Sequence, residues 1–249
     1  MADAGRLQQA LRVMAAPGRT VVLVPPFTLF LHLSDPMRFL NYAIPDAPVA
    51  PDAAAIEALR AAFRRHNRLP RLEWVEEAAP CLARALTNAG MQEELRTPLM
   101  ACEPHELVSA DASVESLVVA PVVDEELREL ADLQRAAFGQ PSLAPDAEPS
   151  DPRRGGGGAV LARVAGVPAA AAAWTAPVDG VTEIVGVATG EAWRRRGLAG
   201  TVTAAAGRGA FAAGASVCIL SPGGETAQRV YERAGFHRVA TMLHYSDSE

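Results

Sequence analysis

The sequence predicts a mixed α/β protein built from two successive sheet-and-helix domains, and three observations predict it. Short apolar runs of strand length alternate with amphipathic segments of helical period along most of the 249 residues. An apolar run, a basic turn carrying glycine and an Ala-rich helical segment follow one another across 183–213. A unit of strand, helix, Gly-apolar turn and strand occurs twice, at a constant offset of 145 positions.

From the start, residues 2–15 read as a helix, 20–24 and 27–33 as strands, and 52–66 as an amphipathic helix with Ile56, Leu59 and Phe63 inward. Residues 72–75, 80–88 and 91–102 give strand, helix and strand, with Ala89-Gly90-Met91 as the turn. Polar residues and Pro104 mark a seam at 103–115, so the expected domains are 1–110 and 116–249. Past the seam, 116–123 reads as a strand and 124–138 as a helix with Leu127, Leu130, Leu133 and Ala137 on one face. Residues 140–158, rich in Pro, Asp and Gly and closing on four glycines, are expected to be a loop or a flexible insert. Strands at 159–164 and 168–174 turn back at Ala165-Gly166, and Asp179-Gly180 turns the chain into a strand at 181–189. A helix over 198–213, a strand at 217–220, a turn at 221–224, a helix over 225–233 ending at Gly235 and a strand at 236–245 complete the chain.

Hydrophobic residues make up 49% and charged residues 21%, the balance of a globular chain rather than a disordered one. A formal charge of -6 speaks against a nucleic-acid partner, which calls for a basic face to displace counterions. A cationic small molecule such as an amine suits it better as a partner. No lysine occurs, so the chain has no side-chain primary amine of its own. The heavy use of Ala and Gly has genome composition as its plain explanation, and the excess in 198–214 is not read as packing. Cys81, Cys102 and Cys218 are odd in number and lack metal-ligand spacing, which points to reduced thiols in a cytoplasmic protein and to no metal site. No targeting pattern opens the chain, and the most apolar stretch, 159–174, is interrupted by Arg163, Gly166 and Pro168, so no membrane partner is expected. None of the five histidines shows ligand spacing or a partner pattern.

The basic turn reads Arg194-Arg195-Arg196-Gly197-Leu198-Ala199-Gly200. A glycine-bearing turn that opens a helix leaves backbone N–H groups unpaired and aligned with the positive end of the helix dipole, which is a place for phosphate. A solvated charged turn is the competing reading. Arg194-x-x-Gly197-x-Ala199 resembles the acyl-CoA pyrophosphate loop of the GNAT superfamily of N-acetyltransferases. About thirty residues on, after a strand, Tyr231-Glu232-Arg233-Ala234-Gly235-Phe236 resembles that family's closing signature. The resemblance runs from about Ser116 to the C-terminus and implies a mixed-sheet GNAT fold there. Two positions depart from the pattern: Glu191 stands where a Pro often precedes the loop, and Gly224 stands where many relatives have Asn.

What the resemblance implies is specific. Acetyl-CoA is the acyl donor and a primary amine the acceptor, with no metal. Arg194, Arg195, Arg196, Gly197, Leu198, Ala199 and Gly200 hold the diphosphate. Val187, Ala188 and Thr189 offer backbone groups to the pantetheine arm, and one of those N–H groups polarises the thioester carbonyl. Glu183, eleven residues before Arg194, is the base for a protonated amine, and its place among apolar strands is expected to raise its pKa. An exposed edge glutamate is the alternative. Tyr231 is the acid that protonates the departing thiolate, or else a core tyrosine with its hydroxyl at the rim. Gly186 fits a bulge that splays the strand, or reflects composition. The loop 140–158 falls where the family builds the acceptor side.

Under the offset of 145, Leu86 falls where Tyr231 stands, so the first, smaller α/β domain reads as a degenerate and partial, half-length GNAT-like repeat that has lost its polar group. Chance likeness between two common strand-helix-strand units is the alternative. The chain is therefore expected to be a GNAT acyltransferase, with an acyl-CoA-binding sensor module as the second reading. Whether the acceptor is a small molecule or a protein amine stays open, as does a homodimer.

Overall fold

Asp3 begins the first helix: its carboxylate accepts from the Gly5 N–H at 3.4 Å, and α1 (Ala4–Met14) buries Leu7, Ala10 and Leu11. The structure is a computed structural model and describes residues 3–248 apart from 34, 49, 110 and 111; Ala2, the expected start of this helix, lies outside them. Next come β1 (Arg19–Val24), β2 (Phe27–His32) and β3 (Tyr42–Pro45), each antiparallel to the one before. Then α2 (Ala53–Arg65) crosses to β4 (Arg71–Val75), which runs parallel to β3. Ile56, Leu59 and Phe63 are buried as the period predicts, joined by Ala62. The helix α3 (Leu82–Asn88) leads into β5 (Gln92–Cys102).

The second half opens with β6 (Leu117–Pro121), a 3-10 turn and α4 (Leu127–Ala137). An antiparallel meander follows, β7 (Gly158–Val164), β8 (Val167–Trp174) and β9 (Val181–Thr189), with β6 beside β7. Then α5 (Leu198–Ala212) crosses to β10 (Val217–Leu220), parallel to β9, and α6 (Glu225–Arg233) leads to β11 (His237–Ser246).

The compact units are Met1–Leu99 with Arg238–Glu249, and Met100–His237. They differ from the expected division at the polar seam: the end of β5, Met100–Cys102, falls in the second unit, and β11 from Arg238 onward falls in the first. In the second unit β10 pairs antiparallel with the end of β5, Cys218 opposite Cys102 and Leu220 opposite Met100. In the first unit β4 pairs antiparallel with β11, from Val75 opposite Met242 to Arg71 opposite Ser246. The offset of 145 equates β4 with β10 and β5 with β11. The repeat also reaches further upstream than the sequence shows, since β3-α2-β4 and β9-α5-β10 are both parallel crossovers.

Each unit has its own core. In the first, Phe27, Phe63, Leu72, Trp74 and Leu86 pack with Leu243 and Tyr245 of β11. In the second, Ile184, Leu198, Val202, Leu220, Tyr231 and Phe236 pack together. The compositional reading of the glycines is corrected here. A Cβ at Gly209 would lie 2.5 Å from the Trp174 ring and one at Gly158 would lie 2.1 Å from it, so the indole occupies room that a methyl group would close.

Histidine partners missing from the sequence pattern are present in the first unit. On the face of β4 opposite Leu72 and Trp74, buried Arg71 pairs with Glu73, with Glu94 Oε2 at 2.8 Å and with His244 Nδ1 at 3.1 Å. Burial pushes the Glu73 carboxyl up, but the hydrogen bond with His244 and the charge of Arg71 hold it down at about 2. A depressed carboxyl contributes stability that is present above its ordinary pKa of 4.5 and lost as pH falls toward 2. Denaturant titrations from pH 5 to pH 2 should therefore show a loss on the order of 3 kcal/mol from this group, and Glu73→Gln should flatten the slope.

Candidate active site

Thr175 and β10 fix the first half of β9. The Thr175 N–H donates to the Glu183 carbonyl at 3.0 Å, and its hydroxyl accepts from the Glu183 N–H at 3.0 Å. Beside it β10 pairs with β9 from Val181 opposite Val217 to Glu183 opposite Ile219. Among the described residues that ladder ends at Glu183. Three residues on, Gly186 has φ +59, and the register with β8 passes from Ala173 opposite Val185 to Ala171 opposite Ala188. Two steps on β8 against three on β9 is a bulge, as expected at this glycine. Composition is not its only reason, since the left-handed φ favours glycine, and the Gln134 amide stands 2.2 Å from where a Cβ would be. Strand alternation puts Glu183, partly exposed, on the face shared with Val185, which packs against α4.

Beyond the bulge Val187 packs against the core that holds Leu198, and Ala188 is buried. The Thr189 hydroxyl is buried without a hydrogen-bond partner, and the Thr189 carbonyl accepts from Arg194 Nε at 3.4 Å. A short 3-10 turn, Glu191–Trp193, then leads into the arginines, all three exposed, with Arg196 over the Trp193 ring at 5.1 Å. Arg195 (φ +62) and Gly197 (φ +86) are left-handed, a geometry that curls successive amides around one point. Gly197 caps α5 with no side chain, and the Thr201 N–H is the first to bond back, to the Gly197 carbonyl at 3.2 Å. The N–H groups of Leu198, Ala199 and Gly200 have no acceptor among the described residues. These amides and the flanking guanidinium groups fit a diphosphate in charge and in donor supply.

The equivalent helix start in the first unit is closed. Asp52 caps α2, its carboxylate accepting from the Ala55 N–H at 2.8 Å. A carboxylate already occupies the place an anion would take.

Tyr231 lies on α6 in the same core as Ile184, Leu198 and Leu220, its ring tilted against Phe236 at 6.3 Å. Burial pushes its phenol up to about 12, so the hydroxyl stays protonated across any ordinary assay range. The Gly-Phe that follows has a steric reason. Gly235 has φ +98, and a Cβ there would sit 2.0 Å from the Glu106 carbonyl, where the chain crosses and the Val108 N–H bonds the Ala234 carbonyl at 3.1 Å.

Two features escaped sequence reasoning. Gln134 of α4 donates from Nε2 to the Gly186 carbonyl at 2.8 Å, and nothing in a lone glutamine on an amphipathic helix announces it. The loop expected at 140–158 is tied to that same helix. Arg128 donates to the carbonyls of Ala144, Pro145 and Ala147, Arg135 donates to Pro141, and Asp132 accepts from the Leu143 N–H at 2.8 Å.

A bulged strand that parts from its parallel neighbour next to an uncapped helix start defines the class: an acetyltransferase fold. Residues 160–244 match the family model described as FR47-like protein. A GCN5-related N-acetyltransferase from Kribbella flavida is 36% identical, with coverage of 100% of this chain and 97% of that one and a TM-score of 0.82. This chain belongs to the GCN5-related N-acetyltransferases, the GNAT family. A putative GNAT-family acetyltransferase from Novosphingobium aromaticivorans is 20% identical over 96% of this chain and 97% of that one, with a TM-score of 0.59. A tandem GNAT protein from the clavulanic acid biosynthesis pathway, 10% identical over 93% of this chain and 83% of that one, shares the fold with a TM-score of 0.61. No curated protein matches the chain. No helix among the described residues is long and apolar enough to cross a membrane.

Proposed function

We propose that this chain is an N-acetyltransferase that moves an acetyl group from acetyl-CoA to a primary amine by direct attack. The observation that carries the reading is the start of α5, where the N–H groups of Leu198, Ala199 and Gly200, without an acceptor among the described residues, directly follow exposed Arg194, Arg195 and Arg196. The stretch Val187 to Thr189, left by β10, offers the pantetheine arm a strand edge. An alkyl amine, with a pKa of about 10.4, arrives protonated at neutral pH and has no lone pair for attack. Glu183 takes the proton the amine loses, directly or through a water. A backbone N–H of the bulge polarises the thioester carbonyl. Tyr231 gives the proton that the departing sulfur gains; the burial that keeps the phenol protonated also disfavours a thiolate beside it.

The first unit is read as a GNAT-like repeat without chemistry of its own, with Leu86 in the place of Tyr231 and Asp52 closing the helix start. A cytoplasmic setting is supported by Cys102 and Cys218, which stand opposite each other unlinked, each thiol pushed up to about 12 chiefly by burial.

The test is a panel of amines incubated with acetyl-CoA and followed by free thiol. Thiol release with an acetylated amine detected by mass supports the reading. Tight binding of acetyl-CoA with no release from any amine would make the chain a sensor module instead. An absence of acetyl-CoA binding would sink both.

A further inference from the structure

We infer that Gln134 is a positioning residue for acyl transfer: its side-chain amide sets the Gly186–Val187 peptide so that the Val187 N–H faces the thioester. This rests on the proposed function and adds to it a residue that touches no substrate. A trans peptide points its carbonyl and its N–H in opposite directions. Gln134 Nε2 draws the Gly186 carbonyl toward α4 at 2.8 Å, so the Val187 N–H is aimed away from α4, beside the stretch of β9 that β10 has left.

The site is built for this contact. Gly186 is left-handed at φ +59, and the space where its Cβ would stand is taken by the Gln134 amide, 2.2 Å away. The register slip between β8 and β9 falls at the same residue, where a peptide released from the ladder would otherwise turn freely. Behind Gln134, α4 is held to the sheet by Leu127, Leu130 and Leu133 packed with Val185 and Ala171, and to the loop by Arg128, Asp132 and Arg135. A donor that must aim another group needs such a fixed mount.

Gln134→Met keeps the length of the side chain and removes the donor. Its kcat is expected to fall about tenfold or more, while acetyl-CoA affinity and melting temperature stay as in the parent. Gln134→Glu, which turns an acceptor toward the Gly186 carbonyl at pH 8, should fall at least as far. A second measurement needs no turnover: in valine-labelled protein the Val187 amide resonance should move when acetyl-CoA is added, and should already be displaced in free Gln134→Met. A Val187 resonance indifferent to Gln134→Met, or a kcat within about twofold of the parent, would overturn the role of Gln134 while leaving the proposed function standing. A parent Val187 resonance that ignores acetyl-CoA, together with no acetylated amine, would instead remove the function on which the role rests.

Discussion

Glu183→Gln is expected to lower kcat at pH 7 by about 10²- to 10⁴-fold with acetyl-CoA affinity unchanged, because the amide keeps the shape of the side chain but cannot take the proton of the amine. Tyr231→Phe should lower kcat by about 10²-fold or more, again without loss of binding. It removes one hydroxyl from a packed ring and leaves the contact with Phe236 in place. The two variants should differ in their pH profiles. A phenol pushed up to about 12 does not titrate in the assay range, so Tyr231→Phe should scale the profile without moving its limbs. Steady-state kinetics between pH 6 and 10, paired with calorimetry on each variant, decide both roles. A Glu183→Gln protein that turns over at the parent rate would leave the amine to be deprotonated elsewhere.

Gly197→Glu should raise the dissociation constant for acetyl-CoA by about 10²-fold or more. The substitution places a carboxylate among N–H groups that carry partial positive charge, at a residue held at φ +86. Strain alone would cost about 1–2 kcal/mol, so a control is needed to separate it from charge. Gly197→Asn supplies one, since asparagine tolerates the left-handed region and carries no charge. Its affinity is expected to stay within about tenfold of the parent. Equal losses for Asn and Glu would mean that conformation, not electrostatics, governs the site.

What could be seen before the structure was local. The inward face of α2, the β7–β8 hairpin and the basic turn opening α5 each depend on residues within a few positions of one another. The strand β3 was hidden because it is only four residues long and ends on Pro45. Pairing of β4 with β11 was hidden because its partners are separated by most of the chain, and nothing in either strand names the other. The same distance hid His244 with Arg71, although each sits in a recognisable strand. The structural glycines were masked for another reason: in a chain so rich in Gly, a residue required by the Trp174 ring or by a left-handed bulge looks like its neighbours. The Gln134 contact joins a helix and a bulge 52 positions apart, so neither segment alone signals it.

The pairing of β10 with the end of β5, and of β4 with β11, also bears on how far the chain can be trimmed. A product cut back to the second half alone would leave β10 without the end of β5 and β11 without β4, baring strand edges that are now paired.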